Sequence, residues 1–304
     1  MSRTLPALAV LLGLVCSCSS SASKEPGKPQ EPDKFNPIQV PDPDPLGKFL
    51  ADLDQRVRGW TNLTLLATDQ NQHRQARELA AQLKLMTSKR LDELIAALES
   101  GPPRNRQRAA AAMGFSGEER ALGPLVAALE DPDLDVVHNS LLGLAVLALP
   151  QTPTAPIAVL MTDHADAAIR SNAAYALRAV VEGGADPVPL LPAVHMALVD
   201  QEPGVRLQAA LLAGLAADGE SVQRLTDLLQ DDEALVRLAS LEAMILIGQK
   251  SGPDKGEVAR ALVAAWIDAK DPMRQRLREG MSRIAVKDYG QDEQQWVEWS
   301  RKLP

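Results

Sequence analysis

Residues 201–230 read QEPGVRLQAALLAGLAADGESVQRLTDLLQ, and this stretch decides the fold. Gln201-Glu202-Pro203-Gly204 is a turn and a helix start. Val205, Ala209, Leu212 and Leu215 then fall on one face of a first helix. Asp218-Gly219 breaks it, because glycine suits the left-handed position that ends a helix. Val222, Leu225, Leu228 and Leu229 line a second helix. Asp231-Asp232-Glu233 opens the next unit and places negative charge where a helix dipole favours it.

The same pattern recurs along the chain. Its windows centre on Val137-His138, Ile169-Arg170, Val205-Arg206, Val236-Arg237 and Met273-Arg274, with a weaker copy at Asn105-Arg106 before Ala109-Ala110. Successive offsets are 32, 32, 36, 31 and 37 residues. A period of this size means a stacked array in which each unit buries its apolar face on its neighbours. The expected fold is an all-α α-solenoid of helix-turn-helix repeats with an N-terminal helical cap.

Composition agrees. Of 304 residues, 45% are hydrophobic and only 3% aromatic, so Ala and Leu must fill the core and helices must pack closely. Val, Ile, Tyr and Phe never cluster in period-2 runs, which argues against strands. The formal charge is −8, and Lys and Arg are interspersed with acids. No basic face forms, so nucleic acid is a poor partner. The two cysteines, Cys16 and Cys18, lie near the N-terminus, and a disulfide framework or Cys-rich zinc site in the folded part is excluded.

Met1-Ser2-Arg3 is a short basic start, and Leu5–Val15 is an apolar run too short to span a bilayer but suited to a signal peptide. Val15-Cys16-Ser17-Cys18 resembles a bacterial lipobox. That resemblance implies cleavage before Cys18, a diacylglycerol on its thiol and an acyl chain on its amine. Cys16 fits worse, because bulky Val15 precedes it. An ordinary signal peptide with incidental cysteines is the alternative. Ser19 lacks the acidic character that, by resemblance to Gram-negative sorting rules, favours the inner membrane; the lean is toward the outer membrane. Residues 19–46 are rich in Pro, Ser and charge and have too little apolar surface to offset their ordering entropy. Residues 1–17 are therefore expected to be a lipoprotein signal peptide and 18–46 a lipid-anchored disordered linker, membrane-bound through Cys18.

Residues 47–100 read as helices without the repeat signature and are expected to cap the array. Phe49, Leu50, Leu53 and Val57 make one stripe, with breaks expected at Gly59 and Asn62. Leu65–Leu85 reads as a longer helix, and Ser88 as the cap of a third, ended by Gly101-Pro102-Pro103. Residues 101–304 are expected to hold the repeats and a C-terminal capping helix near 291–301.

The repeats resemble the HEAT-repeat family, in its short bacterial form. The residues that carry the resemblance are Asp131-Pro132-Asp133 with Val137, Ile169-Arg170 with Ala173-Ala174 and Leu177, Val205-Arg206 with Ala209-Ala210, and Val236-Arg237 with Leu241 and Ala243. The likeness spans roughly residues 101–285. It implies that Arg106, Arg170, Arg206, Arg237 and Arg274 form a structural ladder with acidic residues at repeat starts; an anion-binding strip is the alternative. His138 breaks the series, and Leu141-Leu142 replace the usual Ala-Ala. With Pro150, Pro153 and Pro156 following, that unit is expected to be the most distorted, with a short second helix.

Catalytic and metal motifs were sought. Asp131-Pro132-Asp133-Leu134-Asp135 starts like a calcium loop, but Val136 and Leu142 stand where Gly and Glu are required. His73, His138, His164 and His195 show no helical ligand spacing, and none is followed by Glu, which excludes the His-Glu dyads of HEAT-type iron hydroxylases. Met196 beside His195 suggests partial burial. Gly114-Phe115-Ser116-Gly117 falls short of a nucleophile elbow. Trp296 and Trp299 read as the face of a capping helix or as an exposed docking pair, and Trp60 and Trp266 as core residues.

These observations lead to a non-enzymatic scaffold of the bacterial cell envelope, without cofactor or metal. It would present a concave wall of second helices to a protein partner, with Gln223, Arg224, Asp227 and Glu257 as candidate contacts. The alternative is a HEAT-like enzyme or enzyme subunit of the lyase type.

Overall fold

The computed structural model describes residues 45–304 apart from Ser251 and Pro253. Cys16, Cys18, the apolar run and nearly all of the linker lie outside the described residues. Among those described there are helices and turns and no strand. No described helix is long and apolar enough to cross a membrane.

The first segment holds α1 (Pro45–Leu66), α2 (Gln70–Lys89) and α3 (Leu91–Ser100). Six pairs follow: α4 (Pro103–Met113) and α5 (Leu122–Ala127), α6 (Leu134–Leu147) and α7 (Thr154–Asp163), α8 (Ala167–Glu182) and α9 (Leu191–Ala197), α10 (Pro203–Ala216) and α11 (Val222–Leu228), α12 (Ala234–Gln249) and α13 (Asp254–Asp268), and α14 (Met273–Ala285) and α15 (Glu293–Arg301).

The first segment departs from the sequence reading. Gly59 and Asn62 sit inside α1, which runs unbroken to Leu66. A helical glycine costs only about 1 kcal/mol, and Leu50 and Leu53, both fully buried on the same helix, outweigh it. The second helix begins at Gln70, where Asp69 accepts from the Gln72 N–H at 2.9 Å, and not at Leu65. Ser88 lies within α2; the residue before α3 is Arg90.

The pairs form two layers. First helices α4, α6, α8, α10, α12 and α14 stack side by side. They touch through small residues: Ala109, Ala110, Ala173, Ala174, Ala209, Ala210, Ala213 and Ala243 are all fully buried. Two glycines allow backbone contact. A Cβ on Gly143 would stand 2.6 Å from the Ala110 carbonyl oxygen, and one on Gly214 would stand 2.6 Å from Ala243 Cα. The second helices make the other layer. Helices α5, α7, α9 and α11 each pack principally on the first helix of the following pair, and α13 lies between α12 and α14. Helix α15 packs on α13, with Trp296 fully buried and edge-on to Tyr289 and Trp299. Trp266 is fully buried on α13, and Trp60 meets Phe115 edge-on at 4.9 Å.

The unit holding His138 does not have a short second helix. Helix α7 has 10 residues, against 6 in α5, 7 in α9 and 7 in α11. Pro153 precedes its first turn and Pro156 lies within it, where missing N–H groups cost nothing, so these prolines start the helix and do not shorten it.

Candidate functional site

The arginines come first. Arg106 donates from Nε and Nη2 to the two oxygens of Asp131, at 2.8 and 2.9 Å. Arg170 holds Asp200 at 2.9 and 2.9 Å, and Arg206 holds Asp231 at 2.8 and 2.9 Å. The remaining Nη1 of each reaches backward to carbonyls at its own helix start: Gly101, then His164 and Ala165, then Asp200 and Gln201. Each aspartate also accepts the backbone N–H two residues on, from Asp133, Glu202 and Glu233. One fork thus ties two successive pairs together.

Burial alone would raise these carboxyl pKa values. The arginine hydrogen bond, the backbone N–H and the guanidinium charge outweigh it, so Asp131, Asp200 and Asp231 all ionise below the usual carboxylate value. The other ladder positions differ. Arg237 donates to the Asp231 and Asp232 carbonyls at 2.5 and 2.8 Å and pairs with no carboxylate among the described residues. Arg274 reaches the Ile267 carbonyl at 3.4 Å and lies 4.4 Å over the Trp266 ring. At the break, His138 Nδ1 is 2.7 Å from Asn172 Nδ2. The position of the paired aspartates, two residues before the helix cap, is held before α8 by His164, whose Nδ1 accepts the Asp166 N–H at 3.0 Å. Asp163 beside it is exposed and forms no ion pair among the described residues. Burial lowers the His138 pKa, against the pull of Asp166 and Asp135 and with the push of His164.

Sequence reasoning missed a second cluster. His195 Nε2 on α9 lies 2.7 Å from Asp218 Oδ2, and the Ser221 hydroxyl donates to the same oxygen. Asp218 Oδ1 accepts from the Glu220 N–H at 3.2 Å. Asp218 and Ser221 are buried. The hydroxyl faces the carboxylate and not the imidazole, so the arrangement joins α9 to the α10–α11 turn and activates no nucleophile. The only sequence signal was Asp218-Gly219 as a helix stop. Asp133 and Asp166, from the calcium-like and histidine-containing stretches, cap α6 and α8.

The wall of second helices completes the site. Gln223, Arg224 and Asp227 on α11 and Glu257 on α13 are exposed. On α7 and α9 the exposed positions, apart from Asp163 at the end of α7, are instead apolar: Pro156, Val159, Pro192 and Met196 among them, with Val199 just beyond. His195 is partly buried, as its apolar surroundings suggested, and takes the inward position beside Asp218, while Met196 is 59% exposed.

A family model described as HEAT repeats matches residues 91–178. Among solved structures, a mutant of Kap121p shares 16% identity at a TM-score of 0.56, covering 84% of this chain and 31% of that one. This chain therefore spans about a third of Kap121p. An engineered protein shares 18% identity at a TM-score of 0.50, covering 65% of this chain and 99% of that one. The CpcE–CpcF complex of phycocyanin lyase from Nostoc sp. PCC7120 shares 17% identity at a TM-score of 0.41, covering 84% and 100%. No match is found among the curated proteins. The matched repeats, the two stacked layers and the likeness to Kap121p agree: the chain is an all-α solenoid of HEAT-like repeats.

Proposed function

We propose that this chain is a non-enzymatic scaffold that binds a protein partner along its wall of second helices. One observation carries the reading: inward positions of these helices repeat the same apolar pattern, while outward ones change from helix to helix. Gly123 and Ala127 on α5 give way to Pro156 and Val159, then Pro192 and Met196, then Gln223 and Asp227, then Glu257 and Arg260. Packing alone would not require such variation, and a surface read by a partner would. His195 and Ser221 are engaged by Asp218, and Ser240 by the Leu225 carbonyl.

The proposal includes a place. The lipobox-like residues before Cys18 support a lipid anchor in the bacterial cell envelope, outer membrane if the cell has one, with residues 19–44, up to the start of α1, as the tether.

The test is in-cell crosslinking of the tagged full chain, identified by mass spectrometry, beside Cys18→Ala and the double variant Asp227→Lys/Glu257→Lys. A defined envelope protein recovered with wild type, weakened by Cys18→Ala and by the wall variant, is the expected result. A partner unaffected by every wall substitution would sink the scaffold reading, as would a stoichiometric metal ion with turnover in the purified protein.

A further inference from the structure

Helices α7 and α9 break the rule that a surface helix shows charge outward. From Pro187 to Val199 the chain contains no Asp, Glu, Lys or Arg, and α7 has only Asp163 at its end. Val159 is 57% exposed, Val188 62%, Met196 59% and Val199 68%. Pro156, Pro189 and Pro192 are exposed among them. Lone exposed apolar residues are ordinary, but here they occupy consecutive outward turns of two helices in mutual contact. Prolines hold the surface rigid, which lowers the ordering cost of binding, and Met196 adapts to what it meets.

The surroundings specify the occupant. Outward carboxylates frame the patch: Glu99 and Glu130 before it, Asp163 and Asp186 at its edges, Asp227 and Glu257 beyond. The outward cations Arg224 and Arg260 lie on the far side only. Arg120, on the near side, is engaged by Asp92 at 2.7 Å and Glu118 at 3.2 Å. The frame is thus net acidic around an uncharged centre.

Resting on the scaffold reading, we infer that the α7/α9 face docks an amphipathic segment of the partner protein, with apolar residues at its centre and Lys or Arg at its flanks. Charge complementarity sets orientation and partner choice, and the apolar centre supplies the buried anchor. An anionic bilayer would be repelled by the same frame. A second copy of this chain would bring its own carboxylates against it.

The probe is an amphipathic Leu/Lys peptide titrated against the purified full chain by fluorescence anisotropy. Controls are a Leu/Glu peptide, a Ser/Lys peptide and phosphatidylglycerol vesicles. The Leu/Lys peptide should bind and the controls should not. Val159→Glu and Met196→Glu, both at exposed sites, should each weaken binding about tenfold with melting temperature unchanged. Rising salt should weaken wild type. Equal binding of the Leu/Glu peptide, preference for vesicles, or a dimer that Met196→Glu dissociates would each overturn the inference. Peptide binding lost in Asp227→Lys/Glu257→Lys but kept in Val159→Glu and Met196→Glu would overturn it too, while leaving the scaffold reading intact.

Discussion

First and second helices face opposite demands. Between α10 and α12 the contact is made by Ala209, Ala210, Ala213, Gly214 and Ala243, so close that no added carbon fits at Gly214. Between α7 and α9 the outward residues are large, apolar and half or more exposed. One layer is fixed by how near two backbones must come. The other is fixed only on its inward side, and its outward side is free to carry information. Stability should therefore reside in the first layer and recognition in the second.

The sharpest way to break this contrast is overpacking. Gly214→Val should cost about 3 kcal/mol in urea unfolding, because the new side chain meets Ala243 backbone. Val159→Ala on the wall should stay within about 0.5 kcal/mol. Equal losses would show that the wall is packed and not presented.

Next come the rungs. Asp231→Ala removes both bonds to Arg206 and the acceptor for the Glu233 N–H, and should cost about 2 kcal/mol. Asp163→Ala, beside the break, should cost almost nothing, since Asp163 is exposed and makes no ion pair among the described residues. Thermal unfolding of the two variants side by side decides it.

Acidification sharpens the same comparison. The folded His138 pKa lies below its unfolded value, chiefly through burial. The unfolded chain therefore takes up the proton first. That contribution to stability is complete above about pH 6.5 and is lost as pH falls toward the lower folded value. The rung carboxylates, whose folded pKa values are lowered, keep their contribution down to the unfolded value near 3.8 and lose it below. In His138→Gln the slope of stability between about pH 6.5 and 5 should flatten, while the decline at lower pH stays.

The sequence made the pairs legible because their signals coincide: an acidic turn, an arginine at fixed distance and a small-residue run. Residues 45–100 were less legible because helix signals there compete. Gly59 reads as a stop, but the buried Leu50 and Leu53 hold α1 through it. The apolar wall was hidden for another reason. Helix α9 carries Leu191, Val194, Met196 and Ala197 around most of its circumference, so periodicity cannot tell an inward residue from an outward one. The buried Val194 and Ala197, with the bond of His195 to Asp218, fix its rotation and turn Met196 to the surface.

Second helices lean forward, onto the first helix of the following pair. During synthesis this has a direction. When α7 leaves the ribosome, Ile157 and Met161 have no surface to cover them until α8 follows. The same holds for α9 and α10, and for α11 and α12. A chain paused after a second helix shows a naked apolar stripe, whereas in one paused after the next first helix that stripe is covered. Translation of this array thus alternates between sticky and safe lengths, and the natural cut points for fragments lie after Leu147, Glu182 and Ala216, not at the turns where the written repeats begin.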